Sequence, residues 1–184
     1  MEFKDVLRAR VSCRNYNGKL VEKEKIDRIL EEMQLAPTAG HLQAYRVKVL
    51  MGGREAIEKI GEAAGQIDRV KGCGAMMVFF AVPSDASKYG KRGESLFALQ
   101  DATIACAYAQ LAACDLGLAS LWIGAFDEEE TKKVCRVGGG EAGEAAVSGA
   151  TCAVDAVPVA ILALGYTDEE LKRSERKDSK KLLI

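Results

Sequence analysis

The sequence predicts a domain of the α+β or mixed α/β class. Predicted strands and helices are interleaved along the chain without a strict βαβ rhythm, and no internal repeat is evident. The chain has 184 residues, of which 48% are hydrophobic and 29% are charged. This length and composition are typical of one ordinary globular domain, which we expect to span residues 1–184.

Hydrophobic periodicity predicts the elements of the first half of the chain. Proline disfavours a helical conformation in the residue before it, so Pro37 ends the second helix. The continuous apolar run over 75–82 is typical of a central strand buried on both faces. The predicted elements are a helix from Phe3 to near Val11, a helix through Ile26–Met33, a strand over 45–51, a Gly52–Gly53 turn, a helix over 54–64 and a strand over 75–82.

A long helix from about Glu94 to Leu116 dominates the second half of the chain. Its apolar positions cover nearly the whole circumference, so we expect it to be buried in the centre of the molecule. Asp127 followed by Glu130 predicts an N-capped helix running through Val134. The other predicted segments are strands over 118–126 and 157–166, a polar, turn-rich stretch over 85–93 and a charged tail over 167–184.

Composition excludes several classes of protein. The net charge of −1 argues against a globally basic nucleic-acid binder. The N-terminus has no signal-peptide core, and no apolar stretch approaches the ~20 residues of a membrane helix, so we expect no membrane partner. With six cysteines, no C-x-x-C pair and one His, we expect no metal site but reduced, buried thiols in a cytoplasmic protein.

One glycine-rich segment imitates a dinucleotide-binding fingerprint. Residues 138–143 read G-x-G-x-x-G, a sequence that binds a pyrophosphate only between a strand and a helix, with an acidic residue about 20 positions further on. Here a charged helix precedes the glycines, and Asp155 follows too closely. We therefore expect a flexible loop over about 138–150 rather than a nucleotide site.

Arg10, Ser12 and Arg14 lie at alternating positions where the first helix ends. If this segment is extended, all three side chains face one side. Two guanidinium groups and a hydroxyl would then suit a phosphate or another anion. A solvated basic patch at a helix end is the alternative, and these residues alone favour it.

Two further segments are candidate ligand contacts. The loop over 36–43 joins a helix to a strand and holds His41, the only imidazole in the chain. A hydrogen-bonded surface His is the alternative interpretation. The segment over 121–126 ends a strand in Gly124–Ala125, where small residues would let a flat ligand approach the backbone. The alternative is a well-packed strand that leaves the core.

Taken in this order, the segments resemble the nitroreductase family of FMN-dependent oxidoreductases over essentially the whole chain. No single motif is decisive, but six of them occur in register. They are Arg10-x-Ser12-x-Arg14, the run 36–46 (A-P-S-A-G-N-L-Q-P-W-R in the family), residues 96–101, Leu116–Gly117–Leu118 before 122–127, the run 158–166, and Arg176–Lys177.

The resemblance implies a homodimeric, three-layer α+β sandwich in which helices flank a central, mostly antiparallel mixed sheet and FMN lies at the dimer interface. It implies that the FMN phosphate is held at the N-terminal segment and that Arg14 lies near flavin N1 and the C2 carbonyl, where negative charge collects on reduction. The implied cofactor contacts are Arg10, Val11 (through its backbone), Ser12, Arg14 and Arg176, the backbone of Trp122, Ile123, Gly124 and Ala125, and Pro37, Thr38, His41 and Gln43 of the partner subunit.

The implied reaction passes hydride from NAD(P)H through flavin N5 to a nitroaromatic, quinone or similar conjugated acceptor by a ping-pong mechanism. No catalytic side chain and no metal is required, because the chemistry takes place on the flavin. The chain departs from the family at Thr38 and His41, where Ser and Asn are common, and at Ser174, where Lys is frequent and Arg173 could help instead. The alternatives are a same-fold flavoenzyme with another reaction, such as a reductive dehalogenase or ring dehydrogenase, and a non-catalytic flavin- or nucleotide-binding module.

Overall fold

The computed structural model describes residues 1–137 and 155–183. The expected glycine-rich loop over 138–150 lies outside the described residues. The helices are α1 (Phe3–Ala9), α2 (Lys23–Met33), α3 (Arg54–Ala63), α4 (Ile67–Val70), α5 (Gly90–Arg92), α6 (Ala98–Asp115) and α7 (Glu128–Cys135), and the strands are β1 (Tyr45–Met51), β2 (Ala75–Ala81), β3 (Ala119–Ile123) and β4 (Val157–Gly165). Short 3₁₀-helices cover Ala39–His41, Pro83–Tyr89 and Ser179–Leu182, and a π-helix covers Gly93–Phe97.

The four strands form one sheet in the order β1-β2-β4-β3, and every neighbouring pair is antiparallel. The strands β2 and β4 are central, whereas β1 and β3 lie at the edges. Ser12 adds a single parallel bridge to Ser120 of β3. The prediction of a mostly antiparallel mixed sheet is therefore confirmed.

Helices cover both faces of this sheet and give three layers. Met77 and Phe79 of β2 pack with α2 and α6 on one face. Met76, Val78 and Phe80 pack with α3, α4 and α7 on the opposite face. Because alternate side chains enter two separate cores, every residue of β2 is buried, which explains its continuous apolar run.

The long helix differs from its prediction at its start and on its outer side. It begins as the π-helix Gly93–Phe97 and continues as α6. Tyr108 is 39% exposed, and Ile104 and Leu111, which share its side of the helix, are only half-buried. The expectation of a helix buried in the centre of the molecule is confirmed for most of α6, but the described part of the chain leaves this side uncovered.

Two elements end two or more residues earlier than the sequence predicts. The helix α1 ends at Ala9, so Arg10 is already extended, with ψ 107°. The strand β3 ends at Ile123, which leaves Gly124 outside the sheet. Both early ends lengthen the irregular backbone that carries predicted site residues.

Two local predictions are confirmed. The Asp127 carboxylate accepts a hydrogen bond of 2.8 Å from the amide of Glu130 and caps α7. The five cysteines in the described part of the chain are buried. No helix within these same residues has both the length and the apolar character needed to cross a bilayer.

Candidate functional site

A side chain from the C-terminal tail holds the end of α1. Arg173 donates hydrogen bonds to the main-chain carbonyls of Leu7, Arg8 and Arg10, with Nη2–O distances of 3.0 Å to Arg8 and 3.1 Å to Arg10. These carbonyls carry the negative partial charge of the helix C-terminus. The guanidinium group cancels that charge and fixes the direction in which the chain leaves α1.

Three guanidinium groups gather at this end of α1. Arg10 is half-buried, and its pKa is lowered first by burial and then by the like charges of Arg173 and Arg176. Within residues 1–137 and 155–183, no carboxylate lies at ion-pair distance from any of the three. Cations that repel one another and lack a carboxylate partner are a suitable site for a bound anion such as a phosphate group. We refer to Arg10, Arg173 and Arg176 as the arginine cluster.

The chain continues from this cluster along the edge of the sheet. The amide of Cys13 donates a hydrogen bond of 2.8 Å to the Ser120 carbonyl, which places Ser12 in its bridge beside β3. Cys13 is fully buried, Val11 and Ser12 are half-buried, and Arg14 is exposed. This is the burial expected of an extended segment in which Ser12 and Arg14 face outward.

The edge strand β3 offers backbone groups beyond that bridge. Since the Ser120 carbonyl points away from β4, the amide and carbonyl of Trp122, two residues on, point outward as well. Trp122 makes no outward backbone hydrogen bond to any described residue. Its side chain is half-buried and that of Ile123 is buried, whereas Gly124 and Ala125 are exposed. Such an edge can bind the polar rim of a flat ring.

A cleft of about 420 Å³ opens where β3 ends. Its lining includes Gly124, Phe126, Glu94, Ser95 and Leu99. This volume is in the range of small-molecule sites. The cleft therefore gives a small molecule access to the exposed end of the β3 edge.

The loop over 37–44 is anchored by a buried carboxylate on α6. Asp101 is 2% exposed and accepts hydrogen bonds from the amides of Ala39 and Ala44, at 2.9 Å and 3.3 Å. Burial, and secondly the nearby Asp101 carboxylate, raise the pKa of Tyr45. One side chain thus holds both ends of the loop.

The conformation between these anchors is unusual. Gly40, His41 and Gln43 have φ angles of 54°, 60° and 51°, in the left-handed region that non-glycine residues rarely adopt. The Thr38 hydroxyl accepts a hydrogen bond of 3.2 Å from the Gln43 amide, and the Nε2 atoms of Gln43 and His41 lie 3.4 Å apart. Pro37, His41 and Gln43 are exposed and Thr38 is half-buried, so these predicted contacts are accessible at the surface.

The loop and the arginine cluster lie at opposite ends of α6. Asp101 is in the first turn of α6, whereas Cys114 is in the last. The Cys114 thiol donates a hydrogen bond of 3.7 Å to the Val6 carbonyl, which also accepts from the amide of Arg10. The 13 positions from 101 to 114 rise about 20 Å along a helix axis. The structure therefore separates the two groups of predicted site residues within one chain.

Two residues matter more than sequence reasoning indicated. The motif over 96–101 contains Asp101 but assigns it no role. The available signal is that Asp101 and Asp115 are the only charged residues of α6, and that a carboxylate among apolar residues is rarely buried without a partner. The sequence predicts that Arg173 helps to bind a phosphate, whereas in the structure its Nε and Nη2 atoms donate to carbonyls at the end of α1. Its position in a tail rich in charges gave no signal of that role.

Comparison with known sequences identifies the family. A profile of the nitroreductase family matches residues 7–72 and 65–166. The chain belongs to the nitroreductase family. An Archaeoglobus fulgidus relative named "Putative NADH dehydrogenase/NAD(P)H nitroreductase" is 32% identical over 127 residues, 69% of this chain and 70% of the relative. A relative of the same name from Methanothermobacter thermautotrophicus is 30% identical over 130 residues, 71% of this chain and 64% of the relative. Family membership and these names support a general oxidoreductase function.

Solved structures share the nitroreductase fold. A nitroreductase family protein from Streptococcus pneumoniae superposes with a TM-score of 0.81 at 18% identity, covering 100% of this chain and 99% of that one. A protein from Staphylococcus epidermidis, described as a "putative NAD(P)H:FMN oxidoreductase", superposes with a TM-score of 0.80 at 20% identity, covering 100% and 95%. The predicted α+β nitroreductase fold of the single chain is therefore confirmed.

Proposed function

We propose that this nitroreductase family member is a homodimeric, FMN-dependent NAD(P)H oxidoreductase. The observation that carries this proposal is the arginine cluster beside the open edge of β3. The cluster suits a phosphate group, and the edge suits a flat polar ring, which are the two ends of FMN. The S. epidermidis protein of the same fold is named a "putative NAD(P)H:FMN oxidoreductase", which supports the same cofactor pair.

The residues of the described chain fit FMN in their chemistry. Arg10 and Arg176 would bind the phosphate dianion with charge-assisted hydrogen bonds, and Ser12 and the Val11 backbone would add neutral ones. Arg173 would act mainly by holding the end of α1, because Nε and Nη2 are already engaged there. A bound dianion would strongly stabilise the arginine cluster, because the three arginines lack carboxylate partners among the described residues.

The ring would lie along the β3 edge. Outward backbone groups of Trp122, followed by Ile123 and the small residues Gly124 and Ala125, would bind its polar rim. Arg14, exposed on the same edge, would place a fixed positive charge near N1 and the C2 carbonyl. A cation held there stabilises negative charge that forms during reduction, in the manner of an oxyanion hole.

A second copy of the chain would complete the site. Tyr108 lies near the middle of α6, on the apolar side that the described chain leaves uncovered. Two such helices packed antiparallel about a two-fold axis bury this side and bring the start of one helix to the end of the other. The loop over 37–43, with Pro37, Thr38, His41 and Gln43 of the partner subunit, would then approach the arginine cluster.

When bound, FMN would supply a flavin N5 that accepts hydride from NAD(P)H and passes it to a nitroaromatic, quinone or similar conjugated acceptor. The protein residues bind and orient the ring, supply positive charge near it and admit the two substrates in turn through the cleft at Gly124. No protein nucleophile or general base is needed. Residues 1–184 would form one domain. The protein would be located in the cytoplasm, where NAD(P)H is available.

Spectra and turnover test this function. The purified protein, supplied with FMN, should show bound-flavin absorbance and should oxidise NADH or NADPH when nitrofurazone or menadione is added. Flavin binding without turnover would indicate a non-catalytic module. Reduction of the flavin without transfer to these acceptors would favour a same-fold enzyme of another reaction. A protein that shows no flavin absorbance after incubation with FMN would contradict the proposal.

A further inference from the structure

Asp101 is a buried carboxylate with an unusual set of partners. Apart from Asp115 at its far end, α6 has no other charged residue. Asp101 makes no ion pair with a described residue, and its two oxygens accept from Ala39 and Ala44 of one loop. A buried charge is costly unless it is hydrogen-bonded, so these two amides hold the carboxylate as firmly as it holds them.

The loop between these amides is confined from another direction as well. A Cβ atom built on Gly40 would lie 2.1 Å from the hydroxyl oxygen of Tyr89. Tyr89 therefore packs directly on the Gly40 backbone. With Asp101 fixing the two ends and Tyr89 resting on the middle, contacts from elsewhere in the fold add to the loop's own Thr38–Gln43 hydrogen bond in holding the left-handed conformations of His41 and Gln43.

We propose that Asp101 is a positioning residue for the cofactor: it sets the conformation in which the loop over 37–43 contacts FMN across the subunit interface. This inference rests on the proposed function. Asp101 does not itself touch the ligand, because it is 2% exposed beneath the loop. Its effect passes through the backbone to Thr38, His41 and Gln43, whose side chains are accessible.

Asp101→Asn is the discriminating substitution. The amide has the shape of the carboxylate and leaves no cavity, but its nitrogen is a donor and cannot accept from a backbone amide. One of the two loop anchors is therefore lost, and the other loses its charge assistance. Ile60→Val is the matched control: Ile60 is fully buried on the opposite face of the sheet, and the substitution lowers stability without touching the loop.

The first measurement is amide hydrogen exchange of the FMN-free protein, read on peptides that cover residues 38–46. We expect exchange at Ala39 and Ala44 to become at least about tenfold faster in Asp101→Asn, and to stay as in the wild type in Ile60→Val. This readout does not depend on FMN. Unchanged exchange in Asp101→Asn would overturn the proposal.

The second measurement is the dissociation constant for FMN, from quenching of flavin fluorescence. We expect it to rise at least about tenfold in Asp101→Asn and to stay within about twofold in Ile60→Val. Faster loop exchange with unchanged FMN affinity would overturn the proposal, as would equal losses of affinity in both variants. A wild-type protein that binds no FMN would overturn the proposed function, and the exchange data alone would then show whether Asp101 holds the loop.

A second variant keeps the test decisive if Asp101→Asn does not fold. Gly40→Ala disturbs the same loop through Tyr89 and the positive φ angle while leaving Asp101 in place. We expect a similar loss of FMN affinity. Wild-type affinity in a folded Gly40→Ala protein would show that the loop conformation does not set cofactor binding.

Discussion

Replacing Arg10 by Met should affect stability and FMN affinity in opposite directions. Met keeps an apolar stem that can pack as the alkyl part of Arg does, but it removes the charge. In the FMN-free protein, Arg10 is partly desolvated and is repelled by Arg173 and Arg176. Its removal should therefore leave the free energy of unfolding unchanged or raise it by up to about 1 kcal/mol.

The same substitution should weaken FMN binding strongly. A charge-assisted hydrogen bond contributes about 1.5–3 kcal/mol, which corresponds to a dissociation constant roughly 10- to 150-fold higher when the bond is lost. The half-buried position of Arg10 places its effect toward the upper part of this range, since a partly desolvated charge interacts more strongly with an anion.

Two titrations test this prediction. Urea unfolding of the FMN-free proteins gives the stability change, and flavin fluorescence gives the dissociation constant. Arg54→Met, on the exposed surface of α3, is the control for the chemical change and should alter neither quantity greatly. A loss of stability in Arg10→Met, or wild-type affinity for FMN, would refute the assignment of Arg10 to an anion site.

Three further predictions concern Arg173, Tyr108 and Cys73. Arg173→Met should weaken FMN binding at least about fivefold, because the carbonyls at the end of α1 would then face the phosphate without a neutralising cation. Fluorescence titration measures the affinity, and an unchanged dissociation constant would contradict this prediction. Tyr108→Glu places a charge on the uncovered side of α6 and should therefore give a monomer without bound flavin. Light scattering after size exclusion measures the mass, and a flavin-loaded dimer would contradict this prediction. Burial raises the pKa of the Cys73 thiol to about 12 from an ordinary 9.0. As the pH rises, the thiol is therefore deprotonated in the unfolded chain before it is in the folded one. The free energy of unfolding should fall between pH 9 and 12, by up to about 1.4 kcal/mol per pH unit. Cys73→Ala should make that fall shallower in urea unfolding at pH 8 to 11, and an identical slope would contradict the assignment.

Local sequence patterns predict the elements whose causes are local. Strand β1 has the predicted bounds, because an alternating run ends at the Gly52–Gly53 turn. The N-cap of α7 is predicted by Asp127 and by Glu130, which lies three positions further along the chain. The apolar run of β2 correctly predicts burial on both faces. In each case, the signal and the interaction lie within a few residues of each other.

The parts of the candidate site that sequence reasoning missed depend on distant contacts. Asp101 meets the loop across 62 positions, and Arg173 meets Arg8 across 165. His41 and Gln43 adopt left-handed conformations against their own preferences, and the distant contacts that Asp101 and Tyr89 make with the same loop help to hold them. The uncovered side of α6 shows a related limit: an apolar pattern predicts that a surface is covered without identifying which molecule covers it.

In the proposed dimer, one FMN site combines the arginine cluster of one subunit with the loop over 37–43 of the other. Arg10→Met and Gly40→Ala chains, each expected to bind FMN poorly as homodimers, can be co-expressed with different tags and purified as a mixed dimer. In that dimer, one site contains both substitutions and the other contains neither. We predict about one FMN per mixed dimer, bound with wild-type affinity. A mixed dimer that binds FMN as weakly as the two homodimers would show that the site lies within a single chain.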